Sequence, residues 1–185
     1  MSCASGSEPP YAWSHALGQY TGLLRTAIHR LKYDGKTALA EPLARLLARS
    51  LDASTAAVMH PTSPASTLSF DLVTPIPLHP FRLRQRGFNQ SERIAFYLAR
   101  GCGWPLDTGH LIRQRRTRTQ TVLDVAARAA NVQGAFAVRG KTPYRDKCVL
   151  LVDDVLTTQA TVREAARVIR EAGAARVCVV ALARD

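Results

Sequence analysis

Residues 149–161 constrain the fold of this 185-residue chain more than any other stretch does. An apolar run ends there in two adjacent carboxylates, and a turn rich in threonine follows. We expect a strand over 148–152, an amphipathic helix over 162–172 and a strand over 177–183, which together form a βαβ crossover. Both strands are apolar throughout, a pattern typical of parallel strands covered on both faces. The sequence therefore predicts an α/β fold with a doubly wound, mostly parallel sheet.

The acid pair follows the first strand of this unit. Asp153 and Asp154 lie at the carboxyl end of that strand, the edge where open α/β sheets bind ligands. Since adjacent side chains on a strand point to opposite faces, the two can share a ligand only where the strand bends into the turn. There they can hold ribose hydroxyls, or a metal through them, and stabilise positive charge on the sugar ring. In the alternative interpretation one aspartate caps the helix and the other is solvated, which leaves the threonines unexplained.

The turn between the acids and the helix carries many hydrogen-bond donors. Its hydroxyls and backbone N–H groups can bind a phosphate at a helix N-terminus, where the helix dipole also favours an anion. The residues expected around such a phosphate are Thr157, Thr158, Gln159, Ala160 and Thr161.

This passage resembles the 5-phosphoribosyl-1-pyrophosphate (PRPP) binding motif of type I phosphoribosyltransferases. In that motif an apolar strand, two acids and two variable residues precede Thr-Thr-Gly and a further threonine. The resemblance implies the type I phosphoribosyltransferase fold, with Asp153 and Asp154 as catalytic residues that contact Mg²⁺ indirectly, through ribose hydroxyls or water. It also implies that the turn over 157–161 holds the 5-phosphate. Gln159 stands where the motif has glycine, which lets the backbone approach the phosphate; a looser grip and a loss of catalysis are both open.

Upstream motifs narrow the resemblance to the ComF group, phosphoribosyltransferase-like proteins linked to bacterial competence and DNA uptake. The segment Val73-Thr-Pro-Ile-Pro-Leu-His-Pro80 precedes Arg86-Gly-Phe-Asn-Gln90, and residues 31–36, 118–120 and 131–136 match in the family's order. In type I phosphoribosyltransferases the loop after the first core strand binds pyrophosphate, and guanidinium groups suit phosphate oxygens. The resemblance therefore assigns pyrophosphate to Thr74, Pro75, Ile76, Pro77 and Arg86.

ComF-type proteins often carry an N-terminal zinc-binding segment with paired cysteines, which this sequence lacks. Its cysteines are scattered and never spaced C-x-x-C, at Cys3, Cys102, Cys148 and Cys178. We therefore expect no zinc, and Mg²⁺ acting together with PRPP.

The segment 113–121 is too basic and too poor in apolar residues to pack in a core, so we expect an exposed, mobile loop. It resembles the hood that closes over PRPP in this superfamily, with Arg118, Thr119 and Gln120 as the matching residues. Closure would exclude water, which otherwise captures the activated ribose. In the alternative interpretation the loop contacts the backbone of single-stranded nucleic acid, although it carries no aromatic residue for stacking.

The formal net charge of +11 predicts attraction to polyanions, whether nucleic acid, phosphorylated metabolites or an acidic partner. The alternative is that arginine-rich helix faces serve only solubility. No apolar run is long enough to cross a bilayer, and the first residues lack the pattern of a signal peptide. We expect a cytoplasmic protein with no membrane partner.

Apolar periodicity organises the rest of the chain. One helix, ending before residue 35, is predicted by the spacing of Leu17, Tyr20, Leu24, Ile28 and Leu31. We further expect a helix over 41–51, a loop over 52–67, a strand over 71–76, helices over 90–100 and 124–130, and a strand over 135–138. Residues 1–36 are interpreted as an N-terminal helical segment and 37–185 as the phosphoribosyltransferase-like domain.

Two functions of different kinds follow from these features. The leading hypothesis is Mg²⁺-dependent PRPP binding with transfer of the phosphoribosyl group, a glycosyltransferase reaction, to an acceptor that the sequence does not name. The alternative is a competence accessory protein that binds single-stranded DNA, with a helicase-type partner and with the PRPP site as a sensor or relic. A PRPP-responsive transcription regulator ranks last, because the sequence shows no helix-turn-helix signal.

Overall fold

The computed structural model describes residues 8–58, 68–115, 130–140 and 143–185, and of 53–58 only the backbone. The strands are β1 (Ser14–Gln19), β2 (Leu72–Pro75), β3 (Leu111–Arg113), β4 (Phe136–Val138), β5 (Cys148–Leu156) and β6 (Arg176–Arg184). The helices are α1 (Gly22–Tyr33), α2 (Ala40–Val58), α3 (Pro80–Arg86), α4 (Gln90–Cys102) and α5 (Ala160–Glu171), with a 3₁₀ turn at Thr37–Leu39. Four parallel strands form the main sheet in the order β1-β6-β5-β2, and β3 pairs with β4 in an antiparallel ribbon.

Helices cover both faces of the main sheet. On one face Leu150 and Val152 of β5 pack into an apolar core with α1, α2 and α4. On the other face Val149 and Leu151 pack into a second core with α5. Because side chains alternate along a strand, burial on both faces requires a strand that is apolar throughout. The structure confirms the predicted fold class, a doubly wound parallel α/β sheet.

The crossover β5–α5–β6 is present as predicted, but β5 is longer than expected. Its ladder with β6 continues beyond residue 152, with Asp153 opposite Ala181 and Leu156 opposite Arg184. The prediction that the strand ends before the acids was wrong, because β6 offers pairing partners along the whole of β5. Both acids therefore lie within β5, before the turn begins.

The first helix starts later than predicted, because β1 occupies the preceding residues. β1 pairs in parallel with β6, and α1 begins only at Gly22. The prediction that Leu17 and Tyr20 belong to the helix was wrong. Their side chains pack against the same apolar core as Leu24 of α1. The apolar residues of the strand and of the helix therefore have the spacing expected of one continuous helix. Residues 14–33 thus contribute a strand to the main sheet as well as a helix.

The other predicted elements lie close to their expected positions. β2, α4 and β4 occupy the segments expected for a strand, a helix and a strand. α2 continues to Val58, so the expected loop over 52–67 is helical at its start, and 59–67 lie outside the described residues. The helix expected over 124–130 also lies outside them, apart from residue 130. Within the described part of the chain, no helix combines the length and the apolar character needed to span a membrane.

Candidate functional site

Asp154 is buried in β5 and paired with a lysine of α1. Its side chain is 7% exposed, and its Oδ1 lies 2.9 Å from the Nζ of Lys32. Burial alone would lower the pKa of Lys32, but the contact with Asp154 and the charge of Asp153 outweigh burial and raise that pKa above its ordinary value. Lys32 therefore stays charged and neutralises one carboxylate of the pair. Within the described residues, Asp154 Oδ2 is buried and has no hydrogen-bond partner.

Asp153 is held by two hydrogen bonds. Its Oδ1 accepts from the hydroxyl of Ser91 at 3.1 Å and from the backbone N–H of Asp154 at 2.9 Å. Burial and the negative charge of Asp154 raise the pKa of Asp153 to about 7, although these hydrogen bonds and Lys32 oppose the shift. A carboxyl group that titrates near neutral pH beside a second carboxyl group is typical of binding and catalytic sites.

The N-terminus of α4 brings Ser91 to the acids. Asn89 is the N-cap of α4, and its Oδ1 accepts from the backbone N–H of Ser91 at 3.1 Å. Its Nδ2 donates to the carbonyl oxygen of Ile76 at 3.0 Å. One asparagine therefore joins the start of α4 to the chain that leaves β2, which gives the Gly-Phe-Asn-Gln part of the ComF-like motif a structural role.

The residues predicted to hold pyrophosphate lie on the strand next to the acids, but most of them are buried. Thr74 is 1% exposed and Ile76 is 4% exposed, and Pro75 lies in the ladder between β2 and β5. Of the predicted set, Pro77 and Arg86 are partly exposed. These two residues are therefore the ones whose side chains solvent reaches.

Arg86 is fixed by neighbours on two helices. Its Nη1 donates to Oε1 of Gln90 at 2.5 Å, and its guanidinium lies over the ring of Tyr33, 5.3 Å from the ring centroid. Tyr33 directly follows Lys32 in α1. The C-terminal end of α1 therefore contacts both Asp154 and Arg86, and it brings the predicted carboxylate and pyrophosphate groups into one region.

The turn before α5 is accessible to an anion. Thr157 is exposed, and the other four predicted phosphate-binding residues are partly exposed, namely Thr158, Gln159, Ala160 and Thr161. The helix itself cannot satisfy its first N–H groups, and α5 has neither an acidic residue in its first turn nor a side-chain cap. Gln159 has φ 59° and ψ 1°, a left-handed conformation that glycine adopts readily.

Sequence reasoning did not single out Lys32 and Ser91 as site residues. Lys32 belongs to the segment 31–36 that matched the family's order, and Ser91 directly follows the matched Arg86-Gly-Phe-Asn-Gln90. Those matches were the available signal. Only the fold shows that α1 and α4 direct these two side chains to the same acid pair.

The position of Arg113 differs from the prediction. It was expected in an exposed loop, but it lies in β3, half-buried, with its guanidinium 5.3 Å from the centroid of Phe136. Burial lowers the pKa of Arg113, and the charge of Asp153 opposes that shift, so this guanidinium lies within electrostatic reach of Asp153. The predicted hood residues 118–120 lie outside the described residues.

The donor set at the acids fits a metal that arrives with its ligand. Within the described ranges, no group of three or more His, Cys, Asp or Glu side chains could hold a metal ion. The site offers two carboxylates, and an ammonium group already occupies one oxygen of Asp154. Mg²⁺ usually keeps several waters and binds through one or two carboxylates together with substrate phosphates. The residues therefore suit indirect contact with Mg²⁺ better than a closed cage of protein ligands.

Comparisons with known proteins found a matching family, relatives and solved structures. The family described as "Phosphoribosyl transferase domain" matches residues 94–185, which include the acid pair and the turn. "DNA utilization protein YhgH" of Salmonella typhi is 34% identical over 188 residues, which cover 100% of this chain and 78% of that protein. "Competence protein F" of Haemophilus influenzae is 31% identical over 180 residues, covering 96% of this chain and 75% of that protein. The solved glutamine PRPP amidotransferase of B. subtilis, complexed with ADP and GMP, has 23% identity and a TM-score of 0.47 over 77% of this chain and 26% of that chain.

A doubly wound parallel sheet with an acid pair and a threonine-rich turn defines the class of phosphoribosyltransferase-like α/β proteins, and the matched family agrees with that class. The relatives narrow it further, because the two described above align with nearly the whole chain. The chain belongs to the ComF family.

Proposed function

We propose that this chain binds PRPP together with Mg²⁺ and transfers its phosphoribosyl group to an acceptor. The observation that carries the proposal is the acid pair, with one carboxylate neutralised by Lys32 and a free oxygen on the same buried Asp154, directly before a turn that is accessible to an anion. A sugar that carries a phosphate at one end and a diphosphate at the other matches this sequence of groups.

Asp153 and Asp154 would bind the ribose hydroxyls and stabilise charge at the reacting carbon. In the proposed step the bond between ribose C1 and pyrophosphate breaks, pyrophosphate leaves with the electron pair, and a new bond forms between C1 and the acceptor. Positive charge develops on the ring as the bond breaks, and nearby carboxylates lower the energy of that state. Mg²⁺ would neutralise pyrophosphate as it leaves. The turn over 157–161 would hold the 5-phosphate, and Arg86 would contact pyrophosphate.

Calorimetric titration of PRPP with Mg²⁺ tests this proposal. Wild-type protein should bind saturably, and the Asp153→Asn/Asp154→Asn variant should lose most of the affinity while it retains its circular dichroism spectrum. Asp52→Asn, which changes an exposed aspartate of α2, is the matched control and should bind as wild type does. Absence of binding by folded wild type at millimolar PRPP would contradict the proposal.

A second candidate function is the handling of single-stranded DNA, with the PRPP site as a sensor and with a helicase-type protein as partner. The net charge of +11 supports it, as do the names of relatives that refer to DNA utilization and competence. Binding driven by phosphate contacts weakens as salt increases. Fluorescence anisotropy with a labelled oligonucleotide should therefore show an affinity that falls steeply between 50 and 200 mM salt, about the range over which such contacts are lost. An undetectable or salt-independent interaction would contradict this candidate.

A further inference from the structure

Gln159 adopts a backbone conformation that is costly for its residue type. Its φ of 59° lies in the left-handed region, where the Cβ of a non-glycine residue is crowded against the backbone. Among the described residues, Asp146 is the other non-glycine residue with a positive φ. Such a conformation persists only where neighbouring groups fix it. Gln159 occupies the position where the family motif has glycine, so a neighbouring group must hold its backbone in this conformation.

Tyr11 supplies that contact. Its hydroxyl donates to Oε1 of Gln159, and its ring, 8% exposed, belongs to the apolar core that α5 covers. The backbone next to it is anchored to β6, since Ala12 N–H donates to the carbonyl oxygen of Val177 at 2.8 Å. The side chain of Gln159 does not cap α5. Its amide oxygen instead meets a tyrosine whose ring and backbone are both fixed.

We propose that Tyr11 is a positioning residue for the 5-phosphate: its hydrogen bond holds Gln159, in the turn over 157–161, in the left-handed conformation that glycine would otherwise provide. This inference rests on the proposed function, which assigns the turn to the 5-phosphate. The chain thereby replaces the freedom of a glycine with a contact between the N-terminal segment and the turn, 148 residues apart in sequence.

The hydroxyl and the glutamine depend on each other, and this dependence can be measured. Tyr11→Phe keeps the ring in the core but removes the hydrogen bond. The turn should then populate other conformations, and the affinity of the protein for a phosphorylated ribose should fall about three- to tenfold. Gln159→Gly removes the need for the contact, because glycine adopts the conformation without crowding. In the Gln159→Gly background, Tyr11→Phe should therefore change the affinity by less than about twofold.

The experiment compares wild type, Tyr11→Phe, Gln159→Gly and the double variant by titration with ribose 5-phosphate. Hydrogen exchange of the peptide that contains residues 157–161, without ligand, is the second readout. Tyr144→Phe is the matched control, because it also removes a buried hydroxyl, the one that donates to Asp107 at 2.8 Å, and should leave exchange in the turn unchanged.

Faster exchange and weaker affinity in Tyr11→Phe, both absent in the Gln159→Gly background, are the expected results. Unchanged exchange in Tyr11→Phe would overturn the inference whatever the ligand does. Faster exchange with unchanged affinity would also overturn it, because the contact would then order the turn without serving the phosphate. If wild type bound no ribose 5-phosphate, the phosphate role of the contact would be overturned, whereas the proposed function would still be decided by the titration with PRPP and Mg²⁺.

Discussion

Removal of the Lys32 ammonium group should destabilise the protein in a way that depends on pH. Lys32→Met leaves Asp154 buried without its partner, and loss of one member of a buried ion pair typically costs about 3–5 kcal/mol. The Lys32 side chain is 16% exposed, so we expect the lower end, about 3 kcal/mol at pH 8. Lys32 also lowers the pKa of Asp153, and its removal should raise that pKa further above 7.

The sign of the pH effect follows from that pKa. A carboxyl group whose folded pKa lies above its unfolded value of about 3.9 binds a proton more tightly when folded. The destabilisation is therefore full above the folded pKa and decreases as pH falls below it, by at most about 1.4 kcal/mol per pH unit. In Lys32→Met, Asp153 is protonated at pH 5, and the loss of stability there should be clearly smaller than at pH 8.

Urea denaturation at pH 5 and pH 8 measures these free energies of unfolding. The double variant Lys32→Met/Asp154→Leu removes both charges and should recover most of the stability lost in Lys32→Met. Lys36→Met, a change at an exposed lysine, should stay within about 0.5 kcal/mol of wild type. Equal stability of Lys32→Met and wild type at pH 8, or a double variant no more stable than the single one, would refute this reasoning.

Three further predictions concern the same site. The affinity for PRPP should decrease as pH falls below about 7, because protonated Asp153 must lose its proton to bind ribose hydroxyls. Calorimetry at pH 6 and pH 8 measures this change, and the affinity of Asp153→Asn should not depend on pH in this way. Asn89→Ala removes the N-cap of α4 and the bond to Ile76, so thermal denaturation should show a loss of about 1–2 kcal/mol; a loss no larger than that of an exposed substitution would contradict this. Tyr33→Leu should weaken pyrophosphate binding less than Arg86→Met does, because the ring orients the guanidinium. Competition titrations with pyrophosphate compare the two variants, and equal losses would contradict this prediction.

The fold could be predicted where a pattern is local. β5, α5 and β6 could be identified from the sequence, because burial on both faces of the sheet requires each strand to be apolar throughout. β1 escaped prediction because Leu17 and Tyr20 share a core with the helix that follows. Spacing alone cannot separate a strand and a helix that pack on one surface.

The site was only partly predictable, for a related reason. Asp153, Asp154 and the turn are contiguous in sequence, so the sequence alone predicts that they form one ligand site. Lys32 and Tyr11 reach the site from the N-terminal part of the chain, through side chains whose direction depends on how α1 and the first strand pack. The roles of the hood residues 118–120, which lie outside the described residues, stay a prediction.

A crystal structure of the protein soaked with PRPP and Mg²⁺ tests the central claim most directly. We predict that the 5-phosphate lies in the turn over 157–161, with the ribose hydroxyls within hydrogen-bond distance of Asp153 and Asp154 and pyrophosphate toward Arg86. Density for PRPP elsewhere on the basic surface, with the acid pair and the turn free of ligand at saturating PRPP, would contradict the account.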